Sequence, residues 1–272
     1  MINPQPAVDP RLRVLLAVVV YIVVALMASA LIKRFGFDHK DMSGRTSPPV
    51  VVIGALANIV ISALVLLMLV TLDHRSPTEL GLRFSAKDAI AVASSLAVMA
   101  VGAALFLTML QLRGRIRIRW MGTSAAGAVG LTTVTAVLFA VALQEELLYR
   151  GYISLNLLRF GPTTAVATSV VAFTAIHLLT NRAGAAQIVS WLLGGATLVG
   201  AYLLSGSLWV AVVVHLAMDV TNVVAFGIAG SHSWVELQPA LSSEQRTVYR
   251  LLTSVALIVL FLGLYGASIK LA

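Results

Sequence analysis

The stretch GAVGLTTVTAVLFAVALQEELLYR, residues 127–150, decides the fold. From Gly127 to Gln144 it carries no charge, and a helix crossing a membrane needs about 20 such mostly apolar residues. Two adjacent glutamates and an arginine then close the run. An ionised side chain at the centre of a spanning helix costs about 2.5–3.5 kcal/mol. The same stretch therefore sets the fold class and raises a chemical question about Glu145, Glu146 and Arg150.

The rest of the chain has the same character. Of 272 residues 59% are hydrophobic and 11% charged, whereas a soluble domain carries roughly twice that charge fraction. Apolar runs lie near 13–32, 50–72, 89–110, 126–148, 163–179, 186–204, 207–229 and 250–270. They predict an all-α, polytopic integral membrane protein, a bundle of about eight transmembrane helices in a single domain over 1–272. The intervening polar gaps are too short for a soluble core. Only Ser205-Gly206 separates the 186–204 and 207–229 runs, which predicts a tight antiparallel hairpin. In the first run Ala28-Ser29-Ala30 resembles a signal-peptide cleavage site, but the apolar stretch continues to Ile32 and stops at Lys33-Arg34. The expectation is a retained first helix.

The net charge of +8 would suggest nucleic acid in a soluble protein. Here the basic residues sit between apolar runs, as at Lys33, Arg34, Lys40 and Arg45, and are read as anchors on membrane lipid headgroups, with no nucleic-acid partner. The tract LRGRIRIRW (112–120) sets Arg113, Arg115, Arg117 and Arg119 beside Trp120. It is read as a topological anchor in preference to a specific headgroup or acidic-partner site. Cysteine is absent, which excludes disulfides, thiolate catalysis and cysteine metal ligands. Abundant Ala, Val, Gly and Arg suggests a GC-rich bacterial genome, and with it a bacterial plasma membrane.

Of the eleven acidic residues, Glu145, Glu146 and Asp219 alone fall within or at the edge of the spans, together with His177, His215 and Arg150. Several such groups cost on the order of 10 kcal/mol before pairing, so they must face one another or an aqueous cavity. Glu146 and Arg150, four apart, share a helix face in the favourable order. That leaves Glu145, about 100° round the helix, to point elsewhere. His215 and Asp219, in HLAMD, repeat the spacing, so Asp219 can accept a proton from one ring nitrogen and orient the other. Phe173 and His177, in FTAIH, do so on a third helix. Singly, each group has an ordinary explanation: a structural ion pair, a polar helix contact, packing for Phe173. Together, on three helices and nowhere else, they read as one site.

EELLYR (145–150), FTAIH (173–177) and HLAMD (215–219) resemble the three motifs of the CAAX protease and bacteriocin-processing (Abi) family of intramembrane endopeptidases, which includes the type II CAAX prenyl endopeptidases. The family pattern is Glu-Glu-x-x-x-Arg, Phe-x-x-x-His and His-x-x-x-Asn or Asp. This chain matches every fixed position and has Asp at the last. LGLR (80–83) is also similar to a recurrent family segment. The resemblance implies a catalytic core of about 120–230, an active-site cavity below the membrane surface, and Glu145, Glu146, Arg150, His177, His215 and Asp219 as catalytic residues, with Phe173 at the substrate. The expected substrate is a membrane-associated or lipidated protein or peptide.

Peptide hydrolysis needs an activated water, a polarised carbonyl and a proton for the leaving amine. Glu145 is the candidate base, with Glu146 held by Arg150. His177 and His215 would position the water or stabilise the oxyanion. Glu145, His177 and His215 could also hold one zinc ion with a water in the fourth position, and the family is often called metalloprotease. The HExxH helix is absent, however, and the metal-free version is preferred. Two rivals stay open: an ion-coupled transporter using Glu, Asp and His as a proton relay, and a non-catalytic scaffold of the same fold.

Overall fold

A computed structural model describes residues 8–35, 48–120, 125–180, 183–224, 226 and 235–266. Helices α1 (Pro10–Arg34), α2 (Pro48–Thr71) and α3 (Ala86–Leu112) lead to α4 (Ala125–Glu146). A π-helical segment, Leu147–Ile153, continues α4 into the single-turn α5 (Ser154–Leu157) and a 3-10 turn, Leu158–Phe160. Then come α6 (Pro162–Thr180), α7 (Ala185–Ser205), α8 (Leu208–Val224) and α9 (Ser243–Tyr265). Among the described residues seven helical segments are long and apolar enough to cross a membrane, and α8, with 17 residues, is a shorter apolar helix. The protein is an all-α polytopic membrane protein, and its helices fall on the eight apolar runs.

Two boundaries differ from expectation. The fourth run does not stop at 148: its helical path goes on to Phe160 through the π-helical turns. The last helix starts at Ser243, where Ser242 and Gln245 form a reciprocal cap. The sequence pattern S-x-x-Q is the signature of that cap. Lys40, Arg45 and residues 225, 227–229 and 267–270 of the predicted runs lie outside the described residues.

The arginine tract also holds a strand. β1 (Arg117–Trp120) pairs antiparallel with β2 (Val235–Gln238), Ile118 opposite Leu237. Ile116 is buried with Leu237, Phe106 and Tyr249, while Arg113, Arg115, Arg117 and Arg119 are exposed. The ribbon lies at the end of the bundle where α3 and α8 finish and α9 begins.

The predicted hairpin forms around Gly206, which caps α7 in the left-handed region (φ 68°) and donates its N–H to Tyr202 O at 2.8 Å. LGLR docks on this turn. Leu208 N donates to Gly81 O at 2.9 Å, and Trp209 Nε1 to Leu82 O at 3.0 Å. Gly81 has φ 75°, and a Cβ there would sit 2.4 Å from Gly206 O. Gly114 has a similar φ, 65°, with nothing within 4 Å of a Cβ. Gly81→Ala therefore carries both the left-handed penalty, about 1–2 kcal/mol, and a backbone clash, whereas Gly114→Ala carries the penalty alone. Thermal unfolding in detergent should show at least twice the loss for Gly81→Ala.

Arg13, at the start of the first apolar run, is buried, 2% exposed, and paired with Asp73 just beyond α2. Its second guanidinium nitrogen donates to Val8 O at 2.6 Å. The pair fastens the start of α1 to the end of α2. Outward-facing Leu12, Leu15, Val19 and Leu26 on α1, and Leu251, Val255 and Val259 on α9, are exposed, as helices bathed in lipid require. The core gathers round the π-helical segment, all seven residues of which are buried.

Candidate active site

The π-helical segment begins directly after the two glutamates. π-turns widen the helix and are frequent at functional sites. This one is tied down at a single carbonyl: Tyr149 O accepts from Ser154 Oγ and from Ser169 Oγ of α6, both at 3.0 Å. Glu145 and Glu146 are thereby delivered from α4 to the ring of His215 on α8. Glu146 Oε1 accepts from His215 Nδ1 at 2.8 Å. Glu145 Oε2 lies 3.7 Å from Nε2 on the other side of the ring.

Glu146 also lies 3.2 Å from Arg150 Nη1, with both side chains fully buried, so the expected pair is present. Arg150 Nη2 reaches Gly195 O at 3.4 Å, and the guanidinium lies 4.5 Å from the centre of the Phe173 ring. A Cβ on Gly195 would sit 3.4 Å from Phe173 Cδ1 and 3.7 Å from Arg150 Nη2. Those are ordinary contact distances, so the approach of the α7 backbone to the guanidinium does not depend on glycine at this position.

One detail differs from the sequence reading. Asp219 Oδ2 stands 3.7 Å from His215 Nε2, beyond hydrogen-bond reach. The partner that fixes the ring is Glu146, across the helix interface, and not the residue four positions along. The two carboxylates face different nitrogens: Glu146, fully buried, accepts from Nδ1 at 2.8 Å, while Asp219, 30% exposed, stands off Nε2. Nε2 faces both Glu145 and Asp219.

His177 Nδ1 lies 2.9 Å from its own Phe173 O. A carbonyl only accepts, so the hydrogen is on Nδ1 and, in the neutral ring, the lone pair on Nε2. Phe173 is the hub of the cluster, its ring 4.5 Å from His177, 5.6 Å from Tyr149 and 6.0 Å from His215, centre to centre. It is 4% exposed, so its main work is to hold the cluster while lending one edge to the cavity wall.

A cavity of about 100 Å³ lies against this cluster, between the last turns of α6 and α8 and the first half of α7 and α9. His177, His215 and Asp219 form one part of its wall; Trp191 and Arg250 line it too. Glu145 is not on the wall; its Oε2 lies 3.7 Å from His215 Nε2, and its side chain keeps 12% exposure. The structure thus assembles Glu145, Glu146, Arg150, Phe173, His177, His215 and Asp219 in one place.

The alternative zinc set, Glu145, His177 and His215, does not converge. Among the described residues no group of three or more His, Asp or Glu side chains is arranged to hold a metal ion. The Nδ1 bonds of His177 and His215 would not themselves keep Nε2 from an ion; the misfit is in how the three side chains are spaced. As placed, these residues do not fit a metal.

Sequence reasoning passed over Arg250. With the last run started at 250, this arginine sat at its edge; with α9 started at the Ser242 cap it lies two turns inside. The same cost argument that singled out Glu145 would then have marked it.

Fold and site together define a membrane-embedded helical bundle with a buried carboxylate–histidine centre. Residues 126–221 match the family described as Rce1-like, type II CAAX prenyl endopeptidase Rce1-like. The matched span contains all three motifs, from Glu145 to Asp219, in agreement with the resemblance they carry. No curated protein and no solved structure matched the chain.

Proposed function

We propose that the protein is an intramembrane endopeptidase in which Glu145 activates a water seated against His215. The observation that carries this reading is the approach of two adjacent carboxylates to opposite nitrogens of one histidine. The two have unlike surroundings: Glu146 is locked by Arg150 and Nδ1, whereas Glu145 Oε2 is buried with no hydrogen-bond partner. Carboxylates in unlike environments divide acid–base labour.

In the proposed reaction Glu145 takes a proton from the water, and the hydroxide attacks the scissile carbonyl carbon. In its doubly protonated form His215 gives Nδ1–H to Glu146 and turns Nε2–H toward the forming oxyanion. His177 helps to place the water, and Asp219 supports Nε2 through the local field. Collapse of the tetrahedral intermediate breaks the C–N bond, and the amine leaves with the proton that Glu145 carries. Preorganised donors at a developing oxyanion are worth about 3–4 kcal/mol each. No metal enters a step. A membrane-permeable chelator should leave cleavage unchanged; loss reversed specifically by zinc would overturn that feature.

The substrate class is a membrane-associated or lipidated protein or peptide, met in a bacterial plasma membrane among its lipids. The test is a comparison of membrane proteomes from cells carrying the wild type or Glu145→Gln. A full-length substrate should accumulate in the variant. Identical peptide termini in both strains, at equal expression, would remove the endopeptidase reading.

A further inference from the structure

Arg250 projects from α9 onto the cavity that His177, His215 and Asp219 also line. It lies outside the matched span 126–221. Its Nη1 donates to Ser190 Oγ at 3.0 Å, and the Gln187 amide, with its oxygen turned toward Arg250 and Trp191, accepts from Nη1 and from Trp191 Nε1, each at 3.0 Å. Both partners on α7 are neutral. They fix the guanidinium without cancelling its charge.

Among the described residues no carboxylate lies within 4.0 Å of Arg250, and neither Nε nor Nη2 has a protein acceptor. The acidic group on the same wall, Asp219, is directed at His215 Nε2 and reaches Arg250 only through its longer-range field. A guanidinium inside a membrane protein faces an aqueous cavity or a partner. A fixed planar fork with one edge exposed is the geometry that takes a carboxylate in two parallel hydrogen bonds. Arg150, by contrast, is fully buried and already matched by Glu146.

We infer that Arg250, clamped by Ser190 and Gln187, is a carboxylate-binding residue of the cavity, which anchors an anionic group of the peptide substrate beside the reacting histidines. This rests on the endopeptidase reading for the identity of the ligand as a peptide. The anchor makes specificity a matter of where a carboxylate stands relative to the cut bond. The carboxylate belongs either to a free C-terminus or to an Asp or Glu side chain.

The test measures binding, so that turnover is not required. The full chain carrying Glu145→Gln is placed in lipid nanodiscs and titrated with an N-acylated apolar tetrapeptide bearing an uncharged nitrobenzoxadiazole label, in three forms: free acid, C-terminal amide, and amide with one internal glutamate. A carboxylate form should bind about tenfold or more tightly than the plain amide, as a charge-assisted pair implies. The form that wins identifies the source. Adding Arg250→Gln should abolish the preference and Arg250→Lys should keep part of it. Ser190→Ala, which only loosens the clamp, should weaken it. Three forms that bind alike, no binding of any form, or a preference that survives Arg250→Gln would each overturn the inference. An Arg250-dependent preference in the absence of any proteolytic difference between strains would remove the endopeptidase reading and leave the carboxylate site standing.

Discussion

Replacing Glu145 by glutamine is expected to lower cleavage by about 10²–10⁴-fold, the usual contribution of a general base, without loss of folding. The isosteric amide keeps the volume and removes the ability to take a proton from water. Stability should hold or rise, because Glu145 Oε2 is buried with no hydrogen-bond partner, and a buried charge without one is a cost to the fold. The measurement is the initial rate on a substrate identified from the membrane proteomes, set beside the thermal unfolding midpoint of the same detergent preparation. A variant that loses activity and stability together would mean that Glu145 supports the fold and that the base lies elsewhere. A variant that cleaves at the wild-type rate would end its role as base.

The fold was legible because spanning helices announce themselves as apolar runs. The hairpin at Ser205-Gly206 and the helices either side of it follow from length and glycine alone. The site was legible because Glu145, Glu146, His177, His215 and Asp219 are costly where they stand. What could not be read was which helix faces which. Four-residue spacing puts His215 and Asp219 on one face, but a face says nothing of the neighbour, and the neighbour supplies Glu146. The π-helical turns were hidden for a related reason: apart from Arg150, LLYRGYI is apolar or uncharged, and it carries no period that would distinguish one turn type from another. The ribbon was hidden less deeply. Arg115 to Arg119 alternate Arg and Ile with period two, the mark of a half-buried strand, but the charges drew the reading toward an anchor. The partner strand VELQ alternates apolar and polar as well, but over four residues only, too short a run to stand out.

Removal of Glu146 should have the opposite signature to removal of Glu145. Its Oε1 serves two groups, Arg150 at 3.2 Å and His215 Nδ1 at 2.8 Å, and all three residues lie in the interior. Glu146→Ala leaves the Arg150 charge buried with only the 3.4 Å contact to Gly195 O and the faces of Phe173 and Tyr149. Breaking one side of a buried ion pair costs about 3–5 kcal/mol, a large part of a marginal stability. Unfolding in detergent should show that loss, and cleavage should vanish with it. The cause is separable. Replacing the pair together, Glu146→Gln with Arg150→Met, removes both charges at similar volume, and such exchanges are often neutral or stabilising. The double variant should therefore recover most of the stability. It should not recover cleavage, because a neutral amide no longer balances the charge of the imidazolium that the oxyanion step requires. Recovery of both would make Glu146 a structural partner of Arg150 alone and leave His215 to be oriented by something else.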